Sequence, residues 1–435
     1  MANYEWMAAL VLVFSAFFIV PRLLRAGVTT VPEWLEQRFD GRLRRYLSAV
    51  SIVLSIVLDT AGSLYAGAVV LMTFMPGLTL GWTCAAMALF AGVYTIAGGL
   101  RAVVYTDVLQ TVVLLVGSAV LCGIVLSRFD FSWTQIRDSV GADHLSLVQP
   151  LDDPAMPWLG LLIGVPVLGF YYWTMNQYVA QRILGARNIE QATRGALLAA
   201  ALKLLPLFLM VLPGALAASL FVDLERGDQV FPMLVRELAP VGLAGLILSG
   251  LMAAIMSSVD SALNSASTLI TVDFVRPRRP DMSARAQAAL GRWITLGLML
   301  FAALWAPMID RFPGLFNYLQ QGFAYVTPPL VAVFLLGRFW PQLGSVAAFR
   351  AVVLGHVISA ALFAAAQWGW HAVHFTIVAG ALCLLTAALA VGLQLLRGVD
   401  TLALADDLTP PQAPALKRMA WGLVAAVVVM VLAFW

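Results

Sequence analysis

Apolar runs of about 20 residues, separated by short stretches rich in Pro, Gly or Arg, recur along the whole chain. They fall at roughly 4–24, 46–75, 79–97, 105–127, 157–184, 190–221, 240–271, 287–308, 314–338, 345–367, 371–397 and 416–435. About 20 such residues cross the hydrocarbon core of a bilayer as a helix, so the pattern predicts twelve transmembrane helices and no attached soluble module. Composition agrees: 61% of the 435 residues are hydrophobic and 11% charged, against roughly 25% charged in an ordinary soluble domain. The expected fold class is an all-α integral membrane protein.

One run is unlike the others. AAIMSSVDSALNSASTLITVDF, residues 253–274, starts apolar and then carries Ser257, Ser258, Asp260, Ser261, Asn264, Ser265, Ser267 and Thr268. At 3.6 residues per turn Ser257, Ser261, Asn264 or Ser265, and Thr268 form one stripe, with Ala254 and Ser258 on the adjoining one. Hydroxyls of this kind often serve helix packing. They are also the hard oxygen ligands that Na⁺ takes, joined by carbonyls freed where a neighbouring helix unwinds.

Ionisable groups inside spans are harder to explain by packing, because each costs about 2.5–3.5 kcal/mol at mid-membrane and such groups mark solute or ion paths. Lys203 is one of two lysines among 26 basic residues; its bland reading is a side chain snorkelling to the membrane edge. Asp260 lies within the polar run, where a path role or a buried partner such as Arg182 is expected. Asp107 opens the run at 105–127, where a helix N-terminal carboxylate and an ion-path role compete.

The span 157–184 contains FYYWTMNQYVAQR. Aromatic faces stack on the apolar faces of sugars while amides bind hydroxyls, so Tyr171, Tyr172 and Trp173 followed by Asn176, Gln177 and Gln181 suit a neutral polyol; an interfacial aromatic belt is the alternative. Cys84, Cys122 and Cys383 have no metal-ligand or redox spacing and read as small packing residues. His371 and His374 stand beside Trp368 and Trp370 as an interfacial cluster. Neither His144 nor His356 stands in an arrangement of nucleophile and carboxylate that suggests a hydrolase, and no Walker-type glycine loop occurs. The chain is therefore expected to be neither an enzyme nor ATP-driven, and no nucleic acid partner is expected.

The net charge of +3 says little, but its distribution fixes orientation. Arg22, Arg25, Arg38, Arg42, Arg44 and Arg45 follow the first run, and Arg101, then Arg182, Arg187 and Arg194, then Arg276, Arg278, Arg279 and Arg285 occupy alternate loops. The loop at 128–156 carries five aspartates against Arg128 and Arg137. The Arg-rich side is expected to be the cytoplasm, with both termini outside. An exterior start of three residues, MAN, gives the expectation that helices normally preceding the first run are missing.

These residues together resemble the sodium:solute symporter family. T-V-P-E-W-L-E-Q-R-F at 30–39 is similar to its inner-loop motif, Y-T-I-A-G-G-L-R-A-V-V-Y-T-D-V-L-Q at 94–110 to its most specific signature, and S-S-V-D-S-A-L-N-S-A-S-T at 257–268 to its sodium-site helix. Y-E-W at 4–6, Y-Y-W…N-Q-Y at 171–178 and L-K-L-L-P…V-L-P-G at 202–214 resemble the bacterial sodium/galactose branch. The resemblance implies a leucine-transporter-type inverted-repeat fold lacking its first core helix. It divides a single domain, 1–435, into the remainder of a first repeat at 4–127, a second repeat at 157–338 and peripheral helices at 345–435.

It further implies a sodium site from the Ala254 carbonyl and the Ser257 and Ser258 hydroxyls. Glu5, Tyr172, Lys203 and Gln320 would line a sugar or polyol pocket, with Tyr172 as inner gate and Tyr4, Met7 and Phe316 as outer gate. Asp107 and Asp260 are expected to form a second cation or proton site. Ala8 and Gly169 depart from the galactose branch, each removing a hydrogen-bonding side chain, so the solute is another sugar, inositol or a related polyol as readily as galactose. The expected function is sodium-coupled symport across the lipid bilayer. A solute sensor that does not transport, and an inactive truncated symporter, are the alternatives.

Overall fold

A computed structural model describes residues 2–141, 145–221, 226–398 and 413–434, with the backbone alone over 93–106. Most of the 94–110 signature, Arg101 and His144 thus lie outside the described side chains. Each of the twelve apolar runs meets a helix. Among the described residues nine helices are long and apolar enough to cross a membrane, from Gly41–Phe74 to Pro414–Ala433. The run at 314–338 becomes Leu315–Val326 and Pro328–Phe339, bent by 51° at their junction. Ala2–Phe18 and Leu80–Gly92 are the two shorter apolar helices.

The chain forms two compact units: residues 1–51, 146–204 and 320–435 make the first, and 52–145 and 205–319 the second. In the first, Ala2–Phe18 packs along Ile189–Leu202, with Ala16, Ala196, Leu197, Leu416 and Ala420 as the buried contact. Small residues let backbones approach where lipid supplies no hydrophobic drive. Helix Trp158–Ile163 and the segment after it meet Phe375–Arg397 so closely that a Cβ on Gly164 would lie 1.8 Å from the Thr376 carbonyl oxygen. In the second unit Val241–Leu269 packs along Leu80–Ser127, where a Cβ on Gly250 would reach Val113 at 2.7 Å.

Helix breaks mark both units, and the sharpest has a chemical cause. Pro328 and Pro329 have no N–H for the carbonyls one turn earlier. The orphaned Tyr325 oxygen accepts from the Ser359 hydroxyl, and the Val326 oxygen meets His356 Nε2 at 2.8 Å. The other ring nitrogen, Nδ1, lies 3.0 Å from the Val352 carbonyl oxygen and 3.1 Å from the Tyr46 hydroxyl. Wide π-helical turns interrupt other spans at Ser55–Thr60, Tyr171–Met175, Leu207–Val211 and Ile270–Val275, a feature frequent at functional sites.

Candidate functional site

Two clusters of expected site residues assemble, one in each unit. In the first unit Glu5 sits in the opening turn of Ala2–Phe18, and Lys203 caps the end of Ile189–Leu202, where the helix dipole favours a cation. Lys203 Nζ donates to Glu5 Oε2 at 2.5 Å, with 22% and 23% of the two side chains exposed. The ammonium also lies 4.7 Å from the centroid of the Trp173 ring. Lysine at this point is thus an ion-paired and stacked group, not one reaching for a headgroup.

The Trp173 ring meets Tyr172 edge-on at 5.0 Å, and Tyr172 meets Phe323 at 5.8 Å. Gln320 stands half-buried one turn before Phe323, so the two share a helix face. Tyr4 and Met7 flank Glu5 on its own helix, Met7 buried and Tyr4 partly so. Phe323 was not identified from sequence; its i+3 spacing from Gln320 was the available signal.

Two expectations for the aromatic segment are corrected. Tyr171 is fully buried against Phe323, so its face is not available for stacking on a solute. The amides beyond the aromatics serve the backbone of a helix that breaks there. Asn176 leaves the helical region at ψ 118° and caps the Tyr178 N–H at 3.1 Å, Gln181 donates to the Tyr178 carbonyl at 3.4 Å, and Gln177 bridges two backbone groups of residues 29 and 31.

In the second unit the polar run forms the continuous helix Val241–Leu269. Ser257, Ser261 and Ser265 of the expected stripe are buried, as is Asp260, whereas Thr268 is partly exposed; Val259, Ala262, Leu263 and Ala266 are buried as well, so burial does not set the stripe apart. The Ser257 hydroxyl donates to the Asp107 carboxylate, bringing together two site residues 150 positions apart. Ser258 donates to the Ala254 carbonyl at 3.0 Å, which places both oxygens side by side at one turn. Asp260 is 3% exposed and lies within a turn of Ser257. Phe316 is half-buried in the first turn of Leu315–Val326.

Carboxylates at 107 and 260 beside a row of hydroxyls on one apolar span are the kind of feature that marks a solute or ion path in helical membrane proteins. The chain belongs to the sodium:solute symporter family, whose model matches residues 1–355. It is 35% identical to rabbit (Oryctolagus cuniculus) sodium/glucose cotransporter 1 over 397 residues, which is 82% of this chain and 60% of that protein. It is 32% identical to the sodium/mannose cotransporter SLC5A10 of Bos taurus, over 98% of this chain and 77% of that one. Sodium/myo-inositol cotransporter 2 of Mus musculus is 34% identical over 81% of this chain and 58% of its own length. The chain thus spans about 60% of the length of several relatives it matches.

Among solved structures, a substrate-bound, outward-open Na⁺-coupled sialic acid symporter superposes with a TM-score of 0.78 at 21% identity, covering 92% of this chain and 84% of that one. Mhp1, a nucleobase-cation-symport-1 family transporter in a closed conformation, gives 0.52 at 14% identity over 96% and 89%. The fold is therefore the leucine-transporter type, in a multi-pass membrane protein.

Proposed function

We propose that this chain carries out sodium-coupled symport of a small neutral polar solute, a sugar or polyol, by alternating access. The observation that carries the reading is the Ser257 hydroxyl on the Asp107 carboxylate, on a helix that also buries Asp260, Ser261 and Ser265. A cation that sheds water on entry is the partner that such oxygens suit. Ser257, Ser258 and the Ala254 carbonyl are the proposed sodium ligands, and Asp107 with Asp260 a second cation or proton site. The glucose, mannose and inositol cotransporters among the relatives support a sugar or polyol as solute.

Glu5, Lys203, Tyr172 and Gln320 are the proposed solute contacts. The Lys203–Glu5 pair is neutral as a unit, and each partner keeps hydrogen-bonding capacity for hydroxyls. Tyr172 is the proposed inner gate, Tyr4 and Met7 the outer one, and Phe316 keeps the outer-gate role the family resemblance gives it. The repeats at 4–127 and 157–338, a bacterial inner membrane, and exterior termini set by the Arg-rich loops complete the reading. Moving one charge down 100 mV is worth about 2.3 kcal/mol, which supports roughly fiftyfold accumulation of solute at about 1.4 kcal/mol per decade. Counter-flow in proteoliposomes against a sugar and polyol panel, with sodium or choline, tests this. Uptake that ignores sodium, or no uptake of any of them, overturns it.

A further inference from the structure

The tetrapeptide R-G-D-Q at 226–229 carries two charges that neither the ion nor the solute cluster uses. It lies in the chain between Leu212–Leu220 and Val230–Leu238, yet within the second unit Arg226 and Asp228 bond to residues 84 and 87 positions further on. The Asp228 side chain is 15% exposed, and its two carboxylate oxygens lie 3.1 and 3.0 Å from the Leu315 nitrogen, whose N–H donates to them. Leu315 opens the helix Leu315–Val326. The first N–H groups of a helix have no partner within it, and its dipole favours a negative charge there. A carboxylate from a distant loop thus does what an N-cap side chain does locally.

Arg226 holds that carboxylate in place. Its guanidinium pairs with the Asp310 carboxylate, donates to the Phe312 carbonyl at 3.2 Å and lies 3.8 Å from Asp228 Oδ2. The centroid of the Tyr65 ring is 6.0 Å from it, and the Tyr65 hydroxyl donates to Asp310 at 3.2 Å. One cation therefore ties the chain just before Leu315 to the loop that caps it. At the other end of the same turn the Tyr318 hydroxyl donates to the Val57 carbonyl at 2.7 Å and accepts from Trp305 Nε1 at 2.8 Å. The turn 315–318 is fixed at both ends, and Phe316 stands between them.

We propose that Asp228 is a positioning residue for the outer end of the solute path: oriented by Arg226, it sets the first turn of Leu315–Val326 and so places Phe316 and, one turn on, Gln320. The proposal rests on the transport reading for the roles of Phe316 and Gln320, whereas the capping contact stands without it.

The test uses the full chain, in lipid nanodiscs for hydrogen exchange and in proteoliposomes for uptake. Asp228→Ala is expected to speed exchange of the Leu315 amide about tenfold, the worth of one hydrogen bond to a charged group, with exchange across Phe375–Arg397 unchanged. Asp228→Asn, which keeps a neutral oxygen for the same N–H, restores part of the protection and leaves about a threefold rise. Initial rates of sodium-driven uptake of D-glucose and myo-inositol by the parent and both variants read the positioning role. KM is expected to rise about tenfold in Asp228→Ala and about threefold in Asp228→Asn, with Vmax within about twofold of the parent. Unchanged exchange at 315, or an equal rise across Phe375–Arg397, overturns the proposal, as does a fall in Vmax at constant KM, the mark of lost folded protein. A parent that takes up neither probe counts against the symport reading alone, and exchange at 315 still decides on Asp228.

Discussion

Removing Lys203 is the most informative single perturbation, because the group has two partners of different kinds. Its ammonium is 2.5 Å from Glu5 Oε2, and about a fifth of each side chain is exposed. Exposed pairs couple by about 0.2–1 kcal/mol, whereas breaking a buried pair costs about 3–5 kcal/mol. Partial exposure places the coupling between these limits, at about 2 kcal/mol. The Trp173 ring at 4.7 Å adds about 0.5–1 kcal/mol that only Lys203 can lose. Lys203→Met is therefore expected to destabilise by about 2.5–3 kcal/mol and Glu5→Gln by about 2 kcal/mol, while the double variant, which restores neutrality, stands no lower than Lys203→Met. The assay is equilibrium unfolding in mixed detergent–SDS micelles of the four proteins. A coupling energy within 0.5 kcal/mol of zero would refute the inference that the two charges hold each other. Uptake separates the roles: the double variant, no less stable than Lys203→Met, stays at least tenfold below the parent in accumulation, since the hydrogen-bonding pair offered to the solute is gone.

Asp107→Asn and Ser257→Ala are each expected to raise the sodium concentration for half-maximal uptake by tenfold or more, measured in proteoliposomes; unchanged sodium dependence in both would remove the ion site. Gly164→Ala should cost about 3 kcal/mol, because its Cβ would meet a backbone oxygen at 1.8 Å and backbone cannot give way cheaply. Gly123→Ala, with nothing within 4 Å, should stabilise slightly, and equal effects would contradict the packing. His374 caps its helix by accepting the Thr376 N–H at its Nδ1, and burial lowers its pKa from 6.5 against the opposing pull of Asp153. The neutral ring's contribution is thus full above about pH 6.5 and is lost as pH falls through the lowered folded value. Melting temperature should drop on acidification in the parent and less so in His374→Asn.

The spans and the polar stripe were legible because both are periodic signals: a 20-residue apolar length, and hydroxyls recurring every three or four positions on one helix. Lys203 was legible as an anomaly, one lysine where arginine is the rule, but Glu5 was tied to it only through the family resemblance. No local pattern tells that residue 5 and residue 203 meet. The same holds for Asp107 and Ser257, whose pairing depends on how Leu80–Ser127 lies along Val241–Leu269.

Polar residues near a helix break were the ones misassigned, and the reason is general. A break inside the membrane frees N–H and C=O groups that have no water to bond, each at a cost of several kcal/mol. Nearby or facing side chains are recruited to them first. Asn176 answers the break at the end of Tyr171–Met175 by capping the Tyr178 N–H, and Ser359 and His356 meet the Tyr325 and Val326 carbonyls at the bend before Pro328. Read by residue type alone, the amides at 176, 177 and 181 suited sugar hydroxyls, yet the backbone already claims them. A polar side chain in a span is thus available to a cargo only after the orphans of the nearest break have been counted. By that count Glu5 and Lys203 meet through side chains, with the Trp173 ring beside the ammonium, and Ser257 meets the Asp107 carboxylate, so a cargo approaching either pair competes with a side-chain contact.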